Sequence, residues 1–385
     1  MHSLSTGGME RTLAAVIRAT QSPSLSHTVC TLREPGPLAD QLPAEVAVIP
    51  LNCRRSDRWA AVKLASVIRR IRPDILHARN FNTWCDAVLA RRIAGHEINR
   101  TVLGFHGLEH DGGFTSVQRR RARWLRLRRF PFTAVSYAGK QQLVDELGAP
   151  SCRVDVLPNG VSIERFRPPT ADQRCAARAA YGVRPDETVI AMVGALAPVK
   201  DHRMALDAVA SSAPRLGGVC ILLAGDGPLR GPLENRAETL PESVRTRFLG
   251  SVEDVAGVLH AADLFVHPSR YEQSSNAVLE AMACGLPILL TAVGDAGCVA
   301  NAGRCARLVA PCDSDSLAAA LVRMIHDPAE RQRLGAAARQ RAESCHGFSA
   351  AVERYQAFYR SIGSAATQPE FNECAALPAS CPTAR

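Results

Sequence analysis

The chain of 385 residues is longer than one ordinary core requires and suits two domains, which commonly run about 100 to 200 residues each. Apolar residues make up 46% and charged residues 22%, a balance that excludes a disordered chain and one embedded in lipid. The formal charge of +9 is unevenly placed: residues 1–165 hold 24 Lys and Arg against 14 Asp and Glu, and the remainder 22 against 23. A basic first half is drawn to polyanions or anionic lipid while the second half is indifferent. Of the 46 cations 43 are arginine, so Lys63, Lys140 and Lys200 stand out. The 13 cysteines include no pair at two-residue spacing and read as reduced, mostly buried thiols. With no leader pattern at Met1-His2-Ser3-Leu4 and no run approaching the ~18 apolar residues of a span, a cytoplasmic location is expected.

Short apolar runs alternate with longer helical patterns, the signature of parallel sheets covered by helices. The chain opens on a glycine-rich stretch and a helical pattern through Thr20. A doubly wound domain ordinarily begins with a buried strand, so its first strand is expected to be missing ahead of this helix. Strands follow at Glu45 to Leu51, Asp74 to Ala78, Thr101 to His106, Thr133 to Ser136 and Val154 to Leu157, with helices near 57–71, 83–95, 115–129 and 137–147. Pro158-Asn159-Gly160 and Arg167-Pro168-Pro169 end this block, which places a boundary near residue 165. Strands are then predicted at Thr188 to Leu196, Val219 to Ala224, Arg247 to Gly250, Leu264 to His267, Pro287 to Val293 and Ala306 to Val309. Their helices fall near 201–214, 228–239, 253–262, 275–284 and 315–326. A helix over 346–362 is expected to return to the first domain (1–165), leaving 166–345 as the second domain and 363–385 as a disordered, Ala/Pro/Ser-rich tail.

Ligands of open parallel sheets bind beyond the carboxyl ends of the strands, so the loops there are the places to search. Ser5 to Glu10 is glycine-rich and leads into a helix whose N-terminus can approach a phosphate or sugar, with Gly8 at its start. His106 ends an apolar strand beside Gly107. From Pro268 to Pro287 a polar loop carries Glu272, Ser274 or Ser275 can cap the new helix, and Asn276 and Glu280 share one helix face. The positive end of that helix points at the space between the two carboxylates. A ligand with an anionic middle and hydroxyls at both ends, such as a nucleotide-sugar, has the matching shape.

The run from Glu272 to Glu280, with Ala262 to Ser269 before it and Ala281 to Pro287 after it, resembles the Glu-x7-Glu motif of the family-four retaining glycosyltransferases. Ser3 to Glu10, Arg72 to Ala78, Pro158 to Val161, Val193 to Asp201 and Ala224 to Pro228 resemble further landmarks in the family's order. The resemblance implies the GT-B fold, an α/β architecture of two doubly wound Rossmann-like domains facing across a cleft. It implies that Lys200 contacts the donor diphosphate, Glu280 the ribose hydroxyls, and Glu272 with the backbone after it the donor sugar. Ser275 and Asn276 join this donor set, Gly8 lines the cleft beside the diphosphate, and His106 touches the transferring sugar. Catalysis would rest on His106, Glu272 and Lys200, with no metal and no cofactor, because a cation and helix N-termini can stabilise a leaving nucleoside diphosphate. The partners implied are a nucleotide-sugar donor and a saccharide or lipid-linked acceptor in cell-surface polysaccharide assembly.

Two positions depart from the family pattern: Ala195 where Arg is common, and Gln273 where Gly is usual. They keep open a non-catalytic binding protein on the same fold, and a nucleotide-sugar 2-epimerase is a second alternative. Asp313-Ser314-Asp315 could suggest a metal but precedes a helix, and reads as its cap. Arg119, Arg120, Arg121, Arg123 and Arg126 surround Trp124 in a basic stretch suited to an anionic membrane surface. The competing expectation is that Val117, Trp124 and Leu125 form the inward face of an ordinary covering helix. No nucleic-acid motif accompanies the arginines, and no nucleic-acid partner is expected.

Overall fold

The computed structural model describes residues 1–364 except 6, 55–56, 96–99 and 109–112; the expected tail lies largely outside the described residues. The described residues divide into two compact units, one of Met1–Asn159 with 349–364, the other Gly160–Phe348.

In the first unit six strands run at Thr28–Thr31 (β1), Ala47–Pro50 (β2), Leu76–Arg79 (β3), Thr101–Phe105 (β4), Phe132–Ala134 (β5) and Val154–Val156 (β6). All pair in parallel, but in two separate sheets, β1-β2 and β3-β4-β5-β6. No strand precedes the helix Gly8–Thr20 among the described residues. β1 was not predicted: four residues, two of them threonine, carry too little apolar pattern to announce a strand. The larger sheet is buried against Phe81 and Trp84 of helix Phe81–Ala94, which meet Phe105, Phe114 and Phe132 at ring-centroid distances of 5.4–6.3 Å. Trp84 is fully buried and its indole N–H donates to the carbonyl of Gly104 at 3.1 Å. The helix Phe348–Ser364 brings Tyr355 and Tyr359 onto β3, where their hydroxyls meet Arg79 and His77.

The second unit holds one six-stranded parallel sheet of Thr188–Val193 (β7), Val219–Ala224 (β8), Val244–Gly250 (β9), Leu264–His267 (β10), Ile288–Thr291 (β11) and Arg307–Val309 (β12). The spatial order is β12-β11-β10-β7-β8-β9. The chain therefore builds outward from β7 to β9, crosses back, and builds outward again from β10, the Rossmann order. Along β7, Val189 and Ala191 enter one core cluster and Ile190 and Met192 another, because a parallel strand covered on both faces must be apolar at every position. That is why β7, β8 and β10 could be read as continuous apolar runs in the sequence.

Candidate functional site

The strand order of the second unit reverses between β7 and β10, so the loops leaving their carboxyl ends part and leave room for a ligand. The two loops are joined near their bases: the Arg270 N–H donates to the carbonyl of Val199 at 2.8 Å. Across them Lys200 Nζ forms an ion pair with Glu272 Oε2. Two glycines permit this proximity. A Cβ on Gly294 would lie 1.8 Å from the carbonyl oxygen of Glu272, and one on Gly225, at φ +146°, 1.9 Å from that of Gly194. The loops after β7, β8, β10 and β11 thus converge on one small volume.

Burial alone would raise the Glu272 carboxyl, but the Lys200 ammonium and a hydrogen bond from His267 outweigh it and hold the pKa at about 2. Glu272 is therefore an anion at neutral pH and can only accept hydrogen bonds. His267 Nε2 lies 3.3 Å from Glu272 Oε2 and 3.1 Å from Ser269 Oγ, and since Glu272 only accepts, Nε2 carries the proton. Burial pushes His267 below its ordinary value, so it is neutral and its weight falls on orienting Glu272. His202, 4% exposed, is driven down to about 3 chiefly by burial, with the Lys200 ammonium adding to it. His267 and His202 had no role in the sequence reading; a histidine closing an apolar strand was the available signal for the first.

Glu272 precedes the helix Asn276–Ala283, within which Glu280 lies one turn beyond Asn276. Ser275 takes the N-cap position, but its side chain makes no capping hydrogen bond. Of the two serines expected to cap this helix, Ser275 therefore does not, and the first N–H groups are left to other partners. Gln273 is 4% exposed, its amide donates to the Tyr271 hydroxyl at 2.9 Å, and its backbone lies outside the left-handed region. The loop's own backbone conformation therefore does not require a glycine at that position. Ala195 is exposed beside Gly194 and offers no charge there.

In the first unit His106 stands at the end of β4, where Arg79 Nη1 donates to its Nε2 at 3.1 Å. A guanidinium can only donate, so the neutral ring carries its proton on Nδ1. Burial, then the Arg79 charge, holds His106 well below its ordinary pKa. Arg79 is 4% exposed, bonds Tyr355 at 3.2 Å and lies 5.3 Å above its ring. Sequence reasoning missed it, since one arginine among 43 gives no signal. Gly8 opens the helix Gly8–Thr20 next to Gly7, its N-cap; of the expected glycine loop, Thr6 lies outside the described residues.

Two family models match nearly the whole described chain: "Glycosyltransferase Family 4" over residues 6–165 and "Glycosyl transferases group 1" over 173–341. The chain belongs to the family-four glycosyltransferases. Among curated relatives, a D-inositol 3-phosphate glycosyltransferase of Mycobacterium marinum is 38% identical over 200 residues, covering 50% of this chain and 41% of its own. A UDP-Gal:alpha-D-GlcNAc-diphosphoundecaprenol alpha-1,3-galactosyltransferase of Escherichia coli is 27% identical over 313 residues, covering 77% and 79%. The chain thus spans about two fifths of the first relative's length and about four fifths of the second's. Among solved structures, Anabaena HepE in complex with UDP-glucose aligns with TM-score 0.80 at 21% identity, over 94% of this chain and 98% of that one. WaaG, a glycosyltransferase involved in lipopolysaccharide biosynthesis, aligns with TM-score 0.76 at 19% identity, over 93% and 98%. These likenesses show the GT-B fold.

In this family member Asp313 is an N-cap, as expected: its carboxylate accepts from Ser316 N–H at 2.9 Å and from the Ser316 hydroxyl. No cluster of three metal-ligating side chains occurs among the described residues. The arginine-rich stretch forms the helix Ser116–Trp124 and a tight turn to Arg129. Its inward side chains are Ala122, Leu125 and Leu127, whereas Val117 is 45% and Trp124 71% exposed. The expectation that Val117 and Trp124 face inward with Leu125 is overturned. The helix turns its small residue to the core and breaks after Trp124, where Arg126 adopts a left-handed conformation at φ +56°. Arg119 pairs with Glu146 at 3.4 Å. No helix of the described residues is long and apolar enough to cross a membrane.

Proposed function

We propose that this protein transfers a sugar from a nucleotide-sugar to a saccharide or lipid-linked acceptor, with retention of anomeric configuration and without a metal. The observation that carries the reading is the meeting of Lys200 and Glu272 at the reversal of strand order, ahead of a helix N-terminus that Ser275 does not cap. In the free protein each charge neutralises the other. On donor binding Lys200 turns to the diphosphate and Glu272 accepts hydrogen bonds from sugar hydroxyls, a role that suits a permanently ionised carboxylate. Glu280 takes the ribose hydroxyls, with Asn276 and Gly8 near the phosphates. As the bond between the anomeric carbon and the phosphate oxygen breaks, the leaving diphosphate gains charge that Lys200 and the helix N-terminus stabilise. The acceptor oxygen bonds to the same face and passes its proton to that phosphate oxygen, so no separate base is needed. The neutral His106, with its proton on Nδ1, donates to the transferring sugar.

Support comes from the relatives as named: HepE binds UDP-glucose, and the E. coli enzyme acts on a diphosphoundecaprenol-linked sugar. A lipid-linked acceptor in cell-surface polysaccharide assembly is the setting that follows, with Trp124 and the surrounding arginines resting on the anionic inner face of the membrane. The test is a panel of nucleotide-sugars incubated with membrane lipid extract, following release of nucleoside diphosphate and the anomeric proton of the product by NMR. Release that needs the extract, survives EDTA and yields the donor's anomer is expected. Isomerised nucleotide-sugar without acceptor would instead identify an epimerase, and neither release nor donor binding would leave a non-catalytic protein.

A further inference from the structure

Between β3 and the helix Phe81–Ala94 the chain turns on one residue, Asn80. Its backbone stands at φ +72° and ψ +148°, a region that glycine visits readily and a residue with a Cβ enters only under strain. Neighbours hold it there from both sides. Its N–H donates to the carbonyl of Gly104 at 2.9 Å, and its own carbonyl accepts from the Thr83 N–H at 3.0 Å and the Thr83 hydroxyl at 2.9 Å. Glycine could make the same three bonds without the strain.

What asparagine adds is a side-chain amide, and the fold makes no visible use of it. Asparagine commonly serves a turn by capping the helix that follows or by bonding a nearby backbone group. Here the side chain makes no capping bond, and Oδ1 is buried with no hydrogen-bond partner. An amide oxygen left in that condition is destabilising, as is the backbone that carries it. The residue as a whole is only half-buried, so a ligand can reach it.

Asn80 also stands beside a residue already placed in the site. In the ladder between β3 and β4 Arg79 is opposite Gly104, which sets Asn80 opposite Phe105 and one residue short of His106. Arg79, the residue before Asn80, is the one that donates to His106 Nε2. Asn80 and His106 therefore leave the carboxyl ends of adjacent strands, where ligands of parallel sheets bind.

Given transfer to a saccharide-bearing acceptor, the reading on which this rests, we propose that Asn80 binds the acceptor: its amide hydrogen-bonds a hydroxyl of the acceptor sugar beside His106 and so selects which acceptors are used. Oδ1 needs a donor, which a hydroxyl supplies and an ionised carboxylate or phosphate does not. A hydroxyl also accepts, so it serves the amide in either orientation. The hydroxyl bound by Asn80 is a neighbour of the attacking one, whose proton goes to the leaving phosphate oxygen.

Asn80→Gly and Asn80→Ala separate the amide from the strain, since both remove the amide and only glycine relieves the backbone. Each is compared with wild type in Tm, in affinity for the released nucleoside diphosphate by calorimetry, and in the amount of membrane lipid extract that half-saturates its release from the donor. Both variants should need at least about 3-fold more extract, with nucleoside diphosphate affinity within about 2-fold of wild type. Asn80→Gly should melt no more than about 2 °C below wild type, and Asn80→Ala below Asn80→Gly. A smaller change in the extract requirement, a larger loss of nucleoside diphosphate affinity, or a greater fall in the Tm of Asn80→Gly would overturn the proposal, the last by showing that the amide holds the fold. Should Asn80→Ala fail to fold, Asn80→Gly alone decides. A wild type that releases nucleoside diphosphate while Asn80→Gly matches its extract requirement refutes the role of Asn80 alone. A wild type that releases none from any donor refutes the transferase reading, and the role of Asn80 with it.

Discussion

Replacing Lys200 by Met leaves the length of the side chain and removes the charge on which Glu272 depends. Lys200 and Glu272 are 22% and 20% exposed, so water screens the pair only in part. The Glu272 carboxyl moves from an ordinary value of 4.5 to about 2 in the folded protein, and a displacement of about 2.5 is worth about 3 kcal/mol of stability at neutral pH. Because this pKa is depressed, the contribution is complete above about pH 4.5 and disappears as pH falls toward 2. In Lys200→Met the sign reverses: burial, no longer opposed by the ammonium, raises the carboxyl, and the variant loses stability at pH 7 but recovers it as pH falls through 6 to 5. The expected loss at pH 7 is about 3 kcal/mol, or about 6 to 12 °C in Tm for a unit of this size. Adding Glu272→Leu should restore most of it, since no lone buried charge remains. Differential scanning calorimetry of wild type, single and double variants at pH 7 and pH 5 checks all three statements. A Tm within 2 °C of wild type at pH 7, or an equal deficit in the double variant, would show that the pair does not carry the electrostatics of this site.

Arg79→Met should free the ring of His106 and lower kcat by about 10- to 100-fold with little change in donor KM, while Arg79→Lys recovers part of the rate. An NMR titration should show the His106 pKa rising in Arg79→Met, because burial and then the Arg79 charge depress it. His77 and His106 are both held well below ordinary values, chiefly by burial, so the stability that they contribute is full above about pH 6.5 and lost as pH falls. Acid unfolding followed by Trp84 fluorescence should therefore begin between pH 6 and 5, and His77→Gln should flatten it. Gly225→Ala should cost about 3 kcal/mol or more in chemical denaturation, because its Cβ would fall 1.9 Å from the Gly194 carbonyl oxygen. Gly231→Ala, in a helix with nothing within 4 Å, should gain up to about 1 kcal/mol. Sedimentation with liposomes should require anionic lipid, weaken with salt, and fall sharply in Trp124→Ala combined with Arg120→Ala and Arg123→Ala; binding indifferent to all three would remove the membrane-facing role.

The sequence by itself determined the elements that are buried on both faces and the order in which they come. Val219–Ala224 and Leu264–His267 were legible to the residue, because a strand covered by helices on both sides is apolar throughout its interior, His267 alone being polar and lying at a strand end. The spacing from Glu272 to Glu280 and the family likeness were equally legible, as both are properties of consecutive residues. β1 was invisible, being short and half threonine, and the competing inward placement of Val117 and Trp124 failed because the period of a helix says which residues share a face but not that the helix breaks after them. Tertiary structure alone decided that Lys200 meets Glu272 across 72 residues of chain, that a buried arginine fixes the proton of His106, and that the Ser275 side chain makes no capping hydrogen bond. These are contacts between the ends of separate strands, and they depend on strand order in the sheet, which no local pattern encodes.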